Sequence, residues 1–158
     1  MTQSDRILEV LGWVAVLGIW ILTLAYYYEL PETIAIHFNA AGKADGSGHK
    51  TTILGLPIIS TIMFIGLTIL NKHPNVFDYP VRITEENALY QYRNASRMLR
   101  FIKLAVIIVF GVIVYRTIQY TNGDSDGLGA WFLPATMSLI FIPTIYFLIK
   151  AFKRNAKE

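Results

Sequence analysis

The chain has 158 residues, of which 54% are hydrophobic and 16% charged, where a soluble domain averages about 45–50% apolar and about 25% charged. Lipid is therefore the expected solvent, and the absence of cysteine excludes disulfides, thiolate metal sites and thiol nucleophiles. A net charge of +3 and a pI near 9.2 do not imply nucleic acid, because the basic residues are spread beside apolar runs and form no single soluble basic face.

No Pro- or Ser-rich linker divides the chain, so residues 1–158 are read as one domain. Crossing a bilayer takes about 20 mainly apolar helical residues, and four segments meet that requirement: 8–28, 52–70, 101–120 and 130–152. The first is too long for a signal-peptide core, and Tyr26, Tyr27, Tyr28 and Glu29 stand where a small-residue cleavage site would be, so it is expected to remain as an anchor.

The outer loop, residues 29–51, is more than a connector. Ile34, Ile36 and Phe38 alternate with Thr33, His37 and Asn39, which predicts a short strand with one apolar face. Asp45-Gly46-Ser47-Gly48 predicts a tight turn. The candidate ligand-binding residues are Pro31, His37, Asn39, Gly42, Asp45, Gly46, Gly48 and Lys50. His37 and His49 lie near Asp45, Glu29 and Glu32, but their spacing matches no standard zinc pattern, so no metal, catalytic residue or cofactor is expected.

The inner segment, 71–100, is read as a loop carrying an amphipathic helix that starts at Thr84 and can lie in the membrane interface before the third span. Thr84 would cap it, Glu85 and Glu86 would occupy its positive end, and Arg93, Arg97 and Arg100 would form a basic stripe beside an apolar face. That stripe would anchor the chain to the bilayer or dock a cytosolic partner. Asn94-Ala95-Ser96 is a glycosylation pattern without meaning on a cytoplasmic loop. Glu9 and Arg116, near span ends, are expected to snorkel, with Glu29 or Asp124 as alternative partners for Arg116. Pro57, Pro134 and Pro143 should bend spans two and four, and the hydroxyls of Thr23, Ser60, Thr61, Thr68, Thr136, Ser138 and Thr144 can bond between helices.

The second outer loop, Asn122 to Gly127, opens like a calcium loop, but Leu133 stands where the bidentate acid belongs, so a polar turn is expected. Lys and Arg fix the orientation because basic loops resist translocation. Lys72, Arg82, Arg93, Arg97, Arg100 and Lys103, with Lys150, Lys153, Arg154 and Lys157 in the tail, place both termini in the cytoplasm.

Leu30-Pro31, Ile36-His37-Phe38-Asn39, Gly42, Asp45-Gly46, Gly48 and Lys50, directly after a first span, resemble the signature of a bacterial membrane family, domain of unknown function 1648. Phe77, Tyr79-Pro80 and Ile83-Thr84-Glu85-Glu86-Asn87 are also similar to that family. Related domains form the N-terminal part of the immunity protein of a sporulation-delaying toxin system, from whose longer architecture a four-span chain departs. The resemblance implies a multi-pass protein of the bacterial inner (plasma) membrane. The expectation is an all-α, non-enzymatic four-helix bundle whose structured outer loop recognises a peptide or envelope protein. The alternatives are a subunit of an oligomeric transporter or channel, and a metal-dependent membrane enzyme using His37 and His49.

Overall fold

The computed structural model describes residues 2–155, with side chains through Lys153. Lys157 and the side chain of Arg154, counted above among the tail cations, lie outside the described residues. Four long helices dominate: α1 (Gln3–Tyr27), α2 (Gly55–Leu70), α3 (Ala88–Thr121) and α4 (Phe132–Asn155). All four are long and apolar enough to cross a membrane, α2 together with the 3₁₀ turn Lys50–Leu54 that leads into it. Between α1 and α2 stands an antiparallel hairpin of β1 (Thr33–Phe38) and β2 (Ala44–His49). The bundle thus has a hairpin end and an opposite end, where the first residues and the loop 71–87 lie.

α3 packs against all three other helices. Val16 and Ile19 of α1, Phe64 of α2, and Ile107, Val114 and Ile118 of α3 form one buried core with Leu30, Ile34 and Ile53 from the hairpin region. Many other apolar side chains face outward: Ile21 is 69% exposed and Ile142 66%. Lipid tails are as apolar as these side chains, so close packing and buried polar contacts hold the helices together. Gly12 permits such an approach, since a Cβ there would lie 2.3 Å from Cε2 of Phe64.

The inner segment corrects the expected interfacial helix. Residues 88–121 form one uninterrupted helix of 34 residues, about 51 Å long at 1.5 Å per residue, against a hydrocarbon core of about 30 Å. No proline and only Gly111 occur within it, so nothing breaks the amphipathic turns from the span. The N-cap of α3 is Asn87, not Thr84; Thr84 instead closes, with Asn87, the turn that leads into the helix. The Asn87 N–H donates to Thr84 Oγ1 at 3.3 Å, and the Thr84 N–H donates to Asn87 Oδ1 at 3.0 Å.

Two of the three expected bends also fall away. Pro57 and Pro134 are the third residues of α2 and α4, where the missing N–H has no intrahelical partner to lose. Pro143 alone sits inside its helix. The hydroxyls divide as well. Thr23, Ser60 and Thr144 donate to carbonyls four residues back in their own helices, at 2.7–2.8 Å. Thr61 accepts from Trp20 Nε1 at 2.9 Å and Thr68 from Lys103 Nζ at 2.7 Å, both between helices.

Candidate functional site

The hairpin owes its shape to three local features. β1 supplies β-branched Thr33, Ile34 and Ile36, which favour extended backbone. The turn is residues 39–43, not Asp45 to Gly48. Asn39 Oδ1 accepts from the N–H groups of Ala41 (2.9 Å) and Lys43 (3.1 Å), and Gly42 adopts φ +75°, a left-handed conformation that glycine enters without steric cost. Gly46 and Gly48 lie within β2, where they make room: a Cβ on Gly46 would lie 3.0 Å from His37 Cβ, and one on Gly48 2.7 Å from Ile36 Cδ1.

The expected alternation of Ile34, Ile36 and Phe38 fails part-way. The register pairs Ala35 with Ser47, His37 with Gly46 and Phe38 with Ala44, so Ile36 and Asp45 are extra residues at irregularities. Such bulges turn side chains out of phase. Ile34 and Ala35 are consequently both buried, whereas Ile36 is 47% exposed.

The hairpin lies over the bundle, fixed at both ends. At its base Lys50 Nζ reaches Glu32 (3.1 Å) and the Leu30 carbonyl (3.2 Å), and His49 Nε2 reaches Glu32 (2.9 Å). The hydrogen bond and charge of Lys50 hold the Glu32 carboxyl below its ordinary value. At the tip, the N–H groups of Leu128 and Gly129 donate to the Gly42 carbonyl at 2.7 and 3.3 Å. Arg116 Nε supports this second loop by donating to the Gly127 carbonyl at 2.8 Å, and bonds Gln119 in place of Glu29 or Asp124.

Between hairpin and helix end opens a cleft of about 620 Å³, within the range of ligand sites. Pro31, Thr33, Asp45, Gly46 and Ser47 form one wall, and Tyr120, Thr121 and Ser125 the other. Of the sequence-predicted residues, Pro31, Asp45 and Gly46 therefore meet at the cleft. His37 stands behind Asp45, paired through Nδ1 to its carboxylate. Asn39, Gly42, Gly48 and Lys50 build and fasten the hairpin instead. The opposite wall, Tyr120, Thr121 and Ser125, was missed. Among the described residues no group of three His, Cys, Asp or Glu converges to hold a metal.

The basic stripe is also redistributed. Arg93 stays exposed, but Arg97 donates from Nε to Asp5 (3.0 Å), Arg100 from Nε to Glu9 (3.1 Å), and Lys103 from Nζ to Glu9 (2.5 Å). Glu9 therefore does not snorkel. Lys103 is fully buried, its Nζ 4.3 Å from the centre of the Phe64 ring. Asp5 also caps α1 through the Thr2 N–H at 2.8 Å. Three cations and two carboxylates thus tie α1 to α3.

A curated relative from Archaeoglobus fulgidus, described as an uncharacterized protein, is 30% identical over 104 residues, with 57% of this chain and 57% of that protein covered. The chain therefore spans just over half the length of that relative. No solved structure matches this chain. The family model of a domain of unknown function, DUF1648, matches residues 14–61, from within α1 through the hairpin and into α2. That stretch includes the motif around His37 and is similar to the domain to which the motif pointed.

Proposed function

We propose that this is a non-enzymatic plasma-membrane protein, bacterial by its family resemblance, that binds an extracytoplasmic peptide or envelope protein in the cleft beneath its hairpin, in an immunity- or receptor-like role. The observation that carries this reading is the cleft itself: about 620 Å³, walled by polar and apolar groups and roofed by a hairpin fastened at base and tip. Fastening keeps the site preformed, which lowers the entropy cost of binding.

We infer the side from the distribution of charge. Arg6, Lys72, Arg82, Arg93, Arg97, Arg100, Lys150 and Lys153 gather at the opposite end, which supports a cytoplasmic location for that end. Arg93, exposed there, is the member of the stripe available to a cytosolic partner.

Two measurements test the reading. Because the chain has no cysteine, a single Ala41→Cys can be labelled cleanly. It should react with a membrane-impermeant maleimide in intact cells, and reaction only after lysis would reverse the orientation. A photo-crosslinker at Ser47 in native membranes should capture a partner that Asp45→Asn releases. Membrane-inserted protein that yields only self-crosslinks at Ser47 would overturn the binding role and favour an oligomeric transporter.

A further inference from the structure

We propose that a second site, at the opposite end of the bundle, holds the phosphate headgroup of one anionic phospholipid between α1 and α4. Both helices pack on α3 but have no substantial contact with one another. A cavity of about 400 Å³ remains between them, bounded by Ser4, Ile7, Arg97, Phe101, Tyr146 and Lys150.

Among the described residues its two charged lining groups are both cations, and no carboxylate lines it. Lys150 Nζ lies 4.9 Å from the centre of the Tyr146 ring and pairs with no carboxylate among the described residues. Arg97 uses Nε for Asp5 and Nη2 for Thr2 Oγ1 at 3.1 Å, leaving Nη1 without a partner among the described residues, and its side chain is 36% exposed. The adjacent carboxylates cannot neutralise the site, because Asp5 and Glu9 already serve Arg97, Arg100 and Lys103, and three cations against two acids leave one positive charge in excess.

The remaining walls determine which anion fits. Ile7, Phe101 and Tyr146 are exposed apolar or aromatic side chains on helices that are long and apolar enough to span a bilayer. A hydrated inorganic ion gains nothing from such walls, whereas a phospholipid places its phosphate on the cations and its acyl chain along them. Basic pockets between spanning helices are suited to such headgroups. The assignment does not depend on which side of the membrane this end faces.

The test is lipid retention by the purified full chain. Protein reconstituted with equal phosphatidylglycerol and phosphatidylcholine, then stripped with detergent, should keep one phosphatidylglycerol by native mass spectrometry. Lys150→Gln should reduce the preference about fivefold, the effect of one cation near a lipid phosphate. Lys150→Arg should restore it, and Lys72→Gln, an exposed cation at the same end, should not change it. Equal retention of the two lipids, or equal loss in Lys150→Gln and Lys72→Gln, would reduce the site to diffuse attraction and overturn the proposal. Displacement of the lipid by inorganic phosphate alone would make it a free-anion site and overturn the lipid assignment.

Discussion

The two ends of the bundle are fastened by different means. At the hairpin end, two loops meet backbone to backbone: the Gly42 carbonyl accepts from Leu128 and Gly129, and the glycines approach so closely that a Cβ on Gly42 would lie 2.3 Å from the Gly129 carbonyl oxygen. At the opposite end, α1 and α3 meet through side-chain charge, with Lys103 fully buried against Glu9 and Thr68. The first junction depends on shape and tolerates changes in charge. The second depends on neutralisation in a low-dielectric setting and tolerates little change in either partner. Substitutions that separate shape from charge therefore distinguish the ends.

The largest effect is expected at the buried charges. Lys103→Met leaves Glu9 with Arg100 as its one remaining cation, and removing one partner of a buried pair typically costs about 3–5 kcal/mol. A loss near the lower limit, about 3 kcal/mol, is expected in reversible unfolding from mixed micelles. Combining it with Glu9→Gln should recover part of that loss, because Glu9 Oε2, the oxygen that Lys103 held, is then no longer a charged atom deprived of its cation. A double variant as unstable as the single would show that packing around Lys103, and not charge, holds this end.

At the hairpin end Gly42→Ala should cost about 2 kcal/mol through strained backbone and the clash with Gly129. The loss should be local: faster hydrogen exchange across residues 39–48 with α1 and α3 unchanged. Uniform acceleration along the chain would mean that hairpin and bundle unfold as one unit.

How far the sequence revealed this layout follows from the range of each signal. Spans are continuous runs of apolar residues, so four of them were legible, and the His37 motif marked the hairpin. The turn was misplaced because Asp45-Gly46-Ser47-Gly48 has turn composition, yet its glycines act as clearance for His37 and Ile36 in the neighbouring strand. A pairing register, which shows this, is a non-local fact. The charge network was hidden for a similar reason: Glu9 and Lys103 are 94 positions apart, and a single sequence gives no sign that they meet. The stripe of Arg97 and Arg100 was visible as a face, but not the helix that covers it.

A smaller effect is expected midway between the ends. Trp20 Nε1 donates to Thr61 Oγ1 across α1 and α2, and hydrogen bonds between spanning helices average about 0.6 kcal/mol. Thr61→Val should lower stability by roughly that amount, while Thr23→Val, whose hydroxyl bonds within its own helix, should leave the α1–α2 contact intact. Equal weakening of that contact by both would deny the Trp20 bond a role in joining the helices.

The smallest effect concerns pH at the base of the hairpin, where Glu32 pairs with Lys50 and His49. Lys50 holds the Glu32 carboxyl below its ordinary value through a hydrogen bond and its positive charge. Glu32 is exposed, so solvent screens the pairing strongly. The direction follows from the lowered value: the folded state binds its proton less readily than the unfolded chain does. The contribution is thus complete above the ordinary carboxylate range and disappears as pH falls through the lowered value. A fluorophore on Ser47→Cys should report this as a rise in hairpin mobility on acidification, and Lys50→Gln should move that rise to higher pH, towards the ordinary carboxylate value. Coincident curves for the two proteins would mean that the base, like the tip, is held by backbone contacts alone, and the contrast between the ends would then be complete.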